Sequence, residues 1–226
     1  MTRDLYAVFV AGGSGTRMGS ERPKQFIELE GIPILQRSVE RFLEGAPSAR
    51  VLIVLPERNL PLWQELCIRY AVTFPQTLVK GGVTRFHSVR NALEQVPDGS
   101  IVSIHDGVRP LLTPSLVRAM VDRMNAAGGP EALVPVLPVT DTLRSVDPGT
   151  PAPDRSRLVA VQTPQMFRSE LIKSAYSLPY DTSFTDDASV AERAGARIDT
   201  IPGEKFNIKI TTPEDLVLAK LLLAGN

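Results

Sequence analysis

Cysteine and histidine are both scarce in this chain of 226 residues. Cys67 is the only cysteine, and the two histidines are His87 and His105. One cysteine excludes an intrachain disulfide, and two histidines are too few for a histidine-rich metal cluster. Cys67 shares helical spacing with Trp63 and Leu66, which predicts a small core side chain and not a reactive thiol.

Net charge and long apolar runs are also missing. Lys plus Arg equals Asp plus Glu at 25 each, whereas a general nucleic-acid binder usually carries a basic surplus. No apolar run approaches the roughly 18 residues that a membrane helix needs, and the N-terminus has no signal-peptide pattern. We therefore expect no nucleic-acid partner, no membrane partner and a cytoplasmic location.

The chain does contain an alternation of strand-like and helix-like segments. Apolar runs predict strands at 5–11, 51–55, 77–80, 101–105, 132–135 and 197–201. Amphipathic spacing predicts helices at 34–43, 61–70, 86–95, 114–127, 169–176, 187–194 and 213–223. This alternation predicts a three-layer, Rossmann-like α/β fold with a mainly parallel sheet, in a single domain over residues 1–226. Ligands of such sheets bind at the carboxyl ends of the strands.

The segment from about 138 to 165 interrupts the alternation. Two strand-like pieces flank a turn at 147–153 that is rich in proline and glycine, and this pattern predicts a long β-hairpin arm that projects from the domain. An isolated hairpin is marginally stable in water. We therefore expect the arm to pack on a second subunit in a homodimer.

The most specific chemical signal follows the first predicted strand. It is a glycine-rich loop made of Ala11, Gly12, Gly13, Gly15 and Arg17, with Pro23-Lys24-Gln25 close behind. Glycines let backbone N–H groups approach a phosphate closely. Arg17 and Lys24 add positive charge, so the loop predicts a nucleoside triphosphate site. No Gly-Lys-Ser/Thr follows it, which excludes a P-loop, and Met18 stands where the dinucleotide fingerprint needs its third glycine.

A second glycine turn, Gly81-Gly82, precedes a predicted helix that contains Ser88. One interpretation is a pocket for base and ribose, in which backbone groups and the Ser88 hydroxyl discriminate the base. The other is a strand-to-helix turn with a capping residue. Spacing alone leaves both open.

Three polar residues elsewhere are candidates for phosphate or acceptor chemistry. Asp106 ends a predicted central strand, where it is suited to Mg²⁺, to a substrate hydroxyl, or to a structural pair with Arg109. Lys209 lies in an apolar, strand-like piece, and an inward lysine needs a negative charge, which favours a phosphate ligand. Thr185 precedes an acidic helix N-terminus, so capping geometry and a ligand role are both open.

Together these motifs resemble the 2-C-methyl-D-erythritol 4-phosphate (MEP) cytidylyltransferase family of non-mevalonate isoprenoid biosynthesis, from about residue 6 to 219. Besides the two glycine turns, the matching motifs are His105-Asp106 with Arg109-Pro110, Asp141-Thr142, Asp154-Arg155, Gln162-Thr163-Pro164-Gln165, Thr185-Asp186 and Asn207-Ile208-Lys209. The resemblance implies a nucleotidyltransferase fold. It also implies transfer of a cytidylyl group from CTP to a polyol phosphate, dependent on Mg²⁺.

The resemblance also implies roles for individual residues. Arg17 and Lys24 would stabilise charge on the α-phosphate, while Lys209 and an Arg155 from the partner subunit would aim the attacking phosphate. The nucleotide would be held by Ala11, Gly12, Gly13, Gly15, Gly82 and Ser88. The acceptor would be held by Asp106, Arg109, Thr142, Thr163 and Thr185.

The chain departs from the family pattern at a few positions. Val83 stands where some members carry aspartate, and Gly12 where some carry alanine. The run from His105 to Pro110, His-Asp-Gly-Val-Arg-Pro, differs from the commoner His-Asp-Ala-Ala-Arg-Pro and is similar to the ribitol 5-phosphate cytidylyltransferases. Two alternatives therefore stay open, the ribitol 5-phosphate enzyme and a catalytically silent nucleotide-binding module.

Overall fold

The computed structural model describes residues 3–13, 22–147 and 149–225. The strands are β1 (Leu5–Val10), β2 (Glu28–Leu29), β3 (Ile32–Pro33), β4 (Arg50–Leu55), β5 (Gln76–Lys80), β6 (Ile101–Asp106), β7 (Ala132–Pro138), β8 (Val159–Val161), β9 (Gln165–Arg168) and β10 (Asp199–Pro202). The helices are α1 (Ile34–Gly45), α2 (Leu60–Arg69), α3 (Arg85–Leu93), α4 (Pro114–Asn125), α5 (Ser169–Ala175), α6 (Asp187–Arg193) and α7 (Pro213–Ala224). Among the helices of these residues, none combines the length and apolar character that a membrane crossing requires.

The large sheet has the strand order β10-β7-β9-β6-β1-β4-β5, with β8 paired to β7. β1 lies between β4 and β6 and is parallel to both, β5 is parallel to β4, and β10 is parallel to β7. β9 runs antiparallel between β6 and β7. The predicted mainly parallel sheet is confirmed. Sequence patterning did not identify β9, because its four residues, Gln-Met-Phe-Arg, form no apolar run of strand length.

Side chains alternate across β1 and divide the core in two. Ala7 and Phe9 pack with buried residues of α1, α2 and α4 on one face of the sheet. Tyr6 and Val8 pack with α3, α5 and α6 on the other. Burying one large apolar side chain contributes about 1.5–3 kcal/mol. Apolar packing on both faces therefore holds the sheet as the middle of the three predicted layers.

A small antiparallel hairpin, β2–β3, precedes α1 and was not predicted. Glu30 and Gly31 form its turn with φ of 51° and 73°, the left-handed geometry that matches the twist of two paired strands. Leu29 packs in a third cluster with Ile210 and with Ala219 of α7. Strands of two residues are too short to show a period of two in the sequence.

The arm differs from the long hairpin that the sequence predicts. Only residues 136–138 of β7 pair with β8. In the described residues between them, 139–147 and 149–158, there is a single 3-10 turn, Arg155–Arg157, and no strand. The prolines of this stretch lack the N–H group that a strand ladder needs, so hydrogen bonding stops near the base of the arm.

Candidate active site

A cleft of about 350 Å³ lies at the carboxyl ends of β1, β4, β5 and β6, where parallel sheets bind their ligands. Its lining includes eight of the predicted site residues, namely Ala11, Gly12, Gly13, Lys24, Gly82, Ser88, Asp106 and Lys209. These residues come from distant parts of the chain, so tertiary structure assembles the site. Gly15 and Arg17 lie outside the described residues.

Lys24 and Gln25 anchor the residues that border the glycine-rich loop. Both are buried in a short 3-10 turn, Lys24–Phe26. Gln25 Nε2 donates a hydrogen bond to the carbonyl oxygen of Ala11 at 2.7 Å, and Lys24 Nζ donates to the carbonyl oxygen of Ile210 at 3.0 Å. One turn thus holds both the end of β1 and the segment that carries Lys209. Gln25 is part of the Pro-Lys-Gln motif, but sequence reasoning assigned it no role.

Asp106 joins two cations at the end of β6. Its Oδ2 lies 3.0 Å from Arg109 Nε and 3.2 Å from Lys209 Nζ. Burial alone would raise the pKa of this carboxyl, but the charges of Lys209 and Arg109 outweigh burial and hold the pKa well below its ordinary value. Asp106 is therefore ionised at neutral pH. The negative partner of Lys209 in this structure is thus the Asp106 carboxylate, and the expected phosphate contact of Lys209 stays a prediction.

The strand-like appearance of the segment around Lys209 is misleading, and the inward lysine expected there is wrong, since Lys209 is exposed. No strand forms at 207–211; the backbone is held by single hydrogen bonds to other segments. The Ile210 N–H donates to the Val108 carbonyl at 2.9 Å, and Arg109 Nη1 donates to the Asn207 carbonyl at 2.7 Å. Asn207 and Ile210 are buried. A loop pressed against the core thus shows the same apolar pattern as a strand.

The second glycine turn forms one wall of the cleft. Ser88 Oγ accepts a hydrogen bond from the Gly82 N–H at 3.0 Å and donates to the Thr84 carbonyl at 2.9 Å. Thr84 caps α3. A Cβ on Gly82 would lie 2.4 Å from Cβ of His87, so only glycine fits there. The turn is therefore the capped strand-to-helix connection of the second interpretation. It also lines the cleft, and its role as a base and ribose pocket stays a prediction.

Arg85 lines the cleft beside this turn, and sequence reasoning gave it no role. Its Nη1 and Nη2 donate to the two carboxylate oxygens of Asp187 at 2.8 and 2.6 Å. Asp187 is fully buried and also accepts from the Tyr176 hydroxyl at 2.6 Å. Burial lowers the pKa of Arg85, but the charge of Asp187 outweighs it and raises the pKa. The cleft thus has a fixed guanidinium whose charge is balanced by Asp187. A glycine turn followed by arginine could have signalled it.

Thr163 is buried behind Asp106. Its Oγ1 accepts a hydrogen bond from the Asp106 N–H at 3.1 Å and lies 2.9 Å from His105 Nδ1. Burial lowers the pKa of His105 to about 3, so the imidazole is neutral at neutral pH. Thr163 orients Asp106 in this arrangement, and its contact with an acceptor stays a prediction.

Five described site residues are not part of the cleft lining. Arg109 and Thr163 contact Asp106 directly, whereas Arg155, Thr142 and Thr185 lie elsewhere. Arg155 Nη1 donates to the Thr140 carbonyl of its own arm at 2.7 Å, beside a groove of about 740 Å³ between the arm and β10. Thr142 is exposed on the arm. Thr185 is exposed before α6 and borders a cavity of about 50 Å³ next to Arg85.

The described residues of the cleft provide few side-chain ligands for a metal ion. Among the described residues no three His, Cys, Asp or Glu side chains form a metal-binding group, and Asp106 is the one carboxylate of the described lining. Mg²⁺ usually keeps several waters and takes one or two carboxylates together with substrate phosphates. One carboxylate beside a phosphate site therefore fits Mg²⁺ brought in with a nucleotide.

Comparison with known proteins agrees with this geometry. Residues 5–225 match the family model described as 2-C-methyl-D-erythritol 4-phosphate cytidylyltransferase. A relative of that name from Porphyromonas gingivalis (strain ATCC 33277) is 48% identical over 227 residues, which cover 100% of both chains. Another from Phocaeicola vulgatus (strain ATCC 8482) is 39% identical and covers 96% of this chain and 99% of the relative.

Among solved structures, 4-diphosphocytidyl-2C-methyl-D-erythritol synthase from Anaerococcus prevotii DSM 20548 superimposes with a TM-score of 0.81 at 25% identity, over 99% of this chain and 100% of that one. The Rossmann-like α/β fold is thereby confirmed. Neither the ribitol 5-phosphate enzyme nor the silent module is favoured by these matches. The chain belongs to the MEP cytidylyltransferase family.

Proposed function

We propose that this chain transfers a cytidylyl group from CTP to MEP and releases pyrophosphate, as a step of isoprenoid biosynthesis. One observation carries the proposal. In a member of this family, a single cleft combines the start of the glycine-rich loop, buried Lys24 and the Asp106–Lys209 ion pair.

The reaction needs no enzyme nucleophile. A phosphate oxygen of the acceptor attacks the α-phosphorus of CTP and forms a new P–O bond. The P–O bond to the β-phosphate breaks, and its electron pair leaves with pyrophosphate. Catalysis then consists of positioning two anions and stabilising charge in the transition state.

The nucleotide half of the cleft is formed by the two glycine turns. Backbone groups of Ala11, Gly12, Gly13 and Gly82 face the triphosphate and the base, Gly15 extends the same loop, and Ser88 holds the second turn in shape. Lys24 and Arg17 stabilise the α-phosphate. Arg85, paired with Asp187, adds a fixed guanidinium beside the second turn.

The acceptor half is formed around Asp106. Asp106 contacts hydroxyl groups of the acceptor, and Lys209 binds its phosphate. Arg109 and Thr163 hold Asp106 in place. Thr185 and, from the arm, Thr142 complete this half together with Arg155.

Asp106 is also the residue that would hold Mg²⁺ beside the triphosphate. When bound, Mg²⁺ neutralises phosphate charge, including that which develops on the leaving pyrophosphate. Competition between the ion and the Asp106–Lys209 pair follows from this geometry, because both use the same carboxylate.

The arm supports a homodimer of this single-domain chain. Val146 is 96% exposed and Val159 52% exposed, on a hairpin that pairs over only three residues. Exposed apolar side chains on such a marginal element need a covering surface. A partner's arm would also bring Arg155 to a cleft that it does not reach in its own chain. The cytoplasmic location stays a prediction.

A pyrophosphate-release assay tests the proposed function. We expect turnover with CTP and MEP, little turnover with ribitol 5-phosphate, and preference for CTP over UTP, ATP and GTP. A chelator should abolish turnover and added Mg²⁺ should restore it. Equal rates with a purine nucleotide would contradict the assignment of the pocket, and faster turnover with ribitol 5-phosphate would contradict the acceptor.

A further inference from the structure

The segment that carries Lys209 has no regular secondary structure, yet it holds Lys209 at ion-pair distance from Asp106. No helix or strand forms between β10 and α7. Lys209 nevertheless lies 3.2 Å from Asp106. Holding an irregular loop in one conformation costs conformational entropy. Contacts with other segments must therefore hold the loop that carries Lys209.

The Gln162 side chain supplies one tether through several hydrogen bonds. Its carboxamide binds both backbone groups of Glu204, since Oε1 accepts from the N–H at 3.0 Å and Nε2 donates to the carbonyl at 2.8 Å. Nε2 also lies 3.5 Å from the Asn207 carbonyl. Gln162 is 7% exposed, and its own N–H donates to the Pro135 carbonyl of β7 at 2.9 Å. The side chain thus binds the loop as a neighbouring strand would, from a fixed position.

The adjacent residue holds the other side of the ion pair. Thr163 Oγ1 accepts from the Asp106 N–H, and the Thr163 carbonyl accepts from Asn207 Nδ2 at 2.8 Å. Gln162 and Thr163 follow β8 directly, at the foot of the arm. Two consecutive residues therefore set the positions of Asp106 and of the loop that carries Lys209.

We propose that Gln162 is a positioning residue for the phosphorylated acceptor, which acts by clamping the 204–207 backbone so that Lys209 faces Asp106. This inference rests on the proposed function, in which Lys209 binds the acceptor phosphate. Gln162 lines no part of the nucleotide half. Its loss should therefore weaken use of the acceptor and leave CTP binding intact.

The test uses Gln162→Met, which removes both polar atoms and keeps side-chain length. Gln162→Asn is a second variant, which keeps the carboxamide but shortens it by one methylene. The matched control is Gln76→Met. Gln76 is partly buried, its Oε1 accepts from Trp63 Nε1 at 2.8 Å, and it lies at the amino end of β5, away from the carboxyl end that borders the cleft.

For both Gln162 variants we expect the acceptor KM to rise about tenfold or more, because a displaced Lys209 loses part of its charge-assisted contact with the acceptor phosphate. The Kd for CTP, measured by calorimetry, should stay within about twofold of wild type. Amide hydrogen exchange of residues 203–210 should accelerate. Gln76→Met should change neither the acceptor KM nor the Kd for CTP.

Three results would overturn the proposal. One is an acceptor KM equal to that of wild type in a folded variant. Another is parallel loss of CTP and acceptor binding, which indicates general loosening. The third is unchanged exchange at 203–210. The exchange measurement needs no substrate, so it decides on the clamp even if wild-type protein releases no pyrophosphate, an outcome that would contradict the proposed function instead.

Discussion

At the scale of single residues, the cleft combines lysine side chains with one carboxylate, Asp106. Lys24 and Lys209 line it directly, and Arg109 binds Asp106 from behind. Each cation is fixed by a hydrogen bond or ion pair with another segment. Fixed charges stabilise a transition state without rearranging as the reaction proceeds.

Replacing Lys24 by alanine should lower kcat by about 100- to 1,000-fold, the usual cost of one well-placed electrostatic group. Arg17→Ala should behave similarly. CTP binding should fall much less, because the glycine turns still hold the nucleotide. Steady-state kinetics and calorimetry measure the two effects, with Lys220→Ala on the exposed face of α7 as the control. Rates within a few-fold of wild type for both variants would remove these residues from the mechanism.

The charge of Asp106 should also appear in the acid stability of the protein. The pKa of Asp106 is depressed in the folded state below its ordinary value of 3.8. The unfolded chain then binds this proton first as the pH falls. The stabilisation is therefore complete above the ordinary value and is lost as the pH falls through the folded pKa.

Urea unfolding of Asp106→Asn at a series of acidic pH values tests this. The variant should be less stable than wild type at neutral pH, because Arg109 and Lys209 lose their partner. Its free energy of unfolding should fall less steeply below about pH 4, since one fewer linked proton contributes to the slope. Parallel curves for the two proteins would show that Asp106 titrates normally.

At the scale of elements, strand ends and helix starts form the walls of the cleft. The Gly81-Gly82 turn joins β5 to α3, and its shape depends on Ser88, one turn into the helix. Thr84 caps the same helix. The nucleotide wall is thus part of the local folding of α3 and is not an appended loop.

Gly82→Ala should distort this element. The added Cβ would lie 2.4 Å from Cβ and 2.8 Å from the carbonyl carbon of His87, and such overpacking typically costs about 1–3 kcal/mol. We expect a lower free energy of unfolding and weaker CTP binding.

Gly12→Ala is the comparison for stability, since a Cβ there meets nothing within 4 Å. Its free energy of unfolding should stay within about 0.5 kcal/mol of wild type. Equal stability of the two alanine variants in urea titrations would contradict the close packing of α3 on the turn.

At the scale of the whole molecule, the arm separates two groups of acceptor residues. Lys209 lies in the cleft of its own chain, whereas Arg155 hydrogen bonds within the arm. A closed two-fold dimer would exchange arms between equivalent clefts. Each site would then need residues from two chains.

Complementation between variants tests the shared site. Arg155→Ala and Lys209→Ala homodimers should each be nearly inactive. In a mixed dimer one site carries both lesions and the other carries none. Random assortment makes about half of the dimers mixed, so co-refolding should restore about a quarter of wild-type activity. Absence of recovery in heterodimers that are shown to form would place Arg155 outside the partner's site.

The sequence alone determined the layers of the fold and much of the chemistry. Apolar periodicity identified β1, β4, β5, β6 and most helices, because burial on a sheet or helix face imposes a regular spacing. The glycine-rich loop predicted a phosphate site because glycine and positive charge act locally. Asp106 was also recognisable, since it ends a buried strand.

Only the tertiary structure decided how these parts meet. The loop around Lys209 has the apolar pattern of a strand, because Asn207 and Ile210 are buried against the core as strand residues would be. The partnership of Arg85 with Asp187 joins residues 102 positions apart, and the clamp of Gln162 on Glu204 spans 42. Such contacts join residues that are distant in sequence, so no local sequence pattern predicts them.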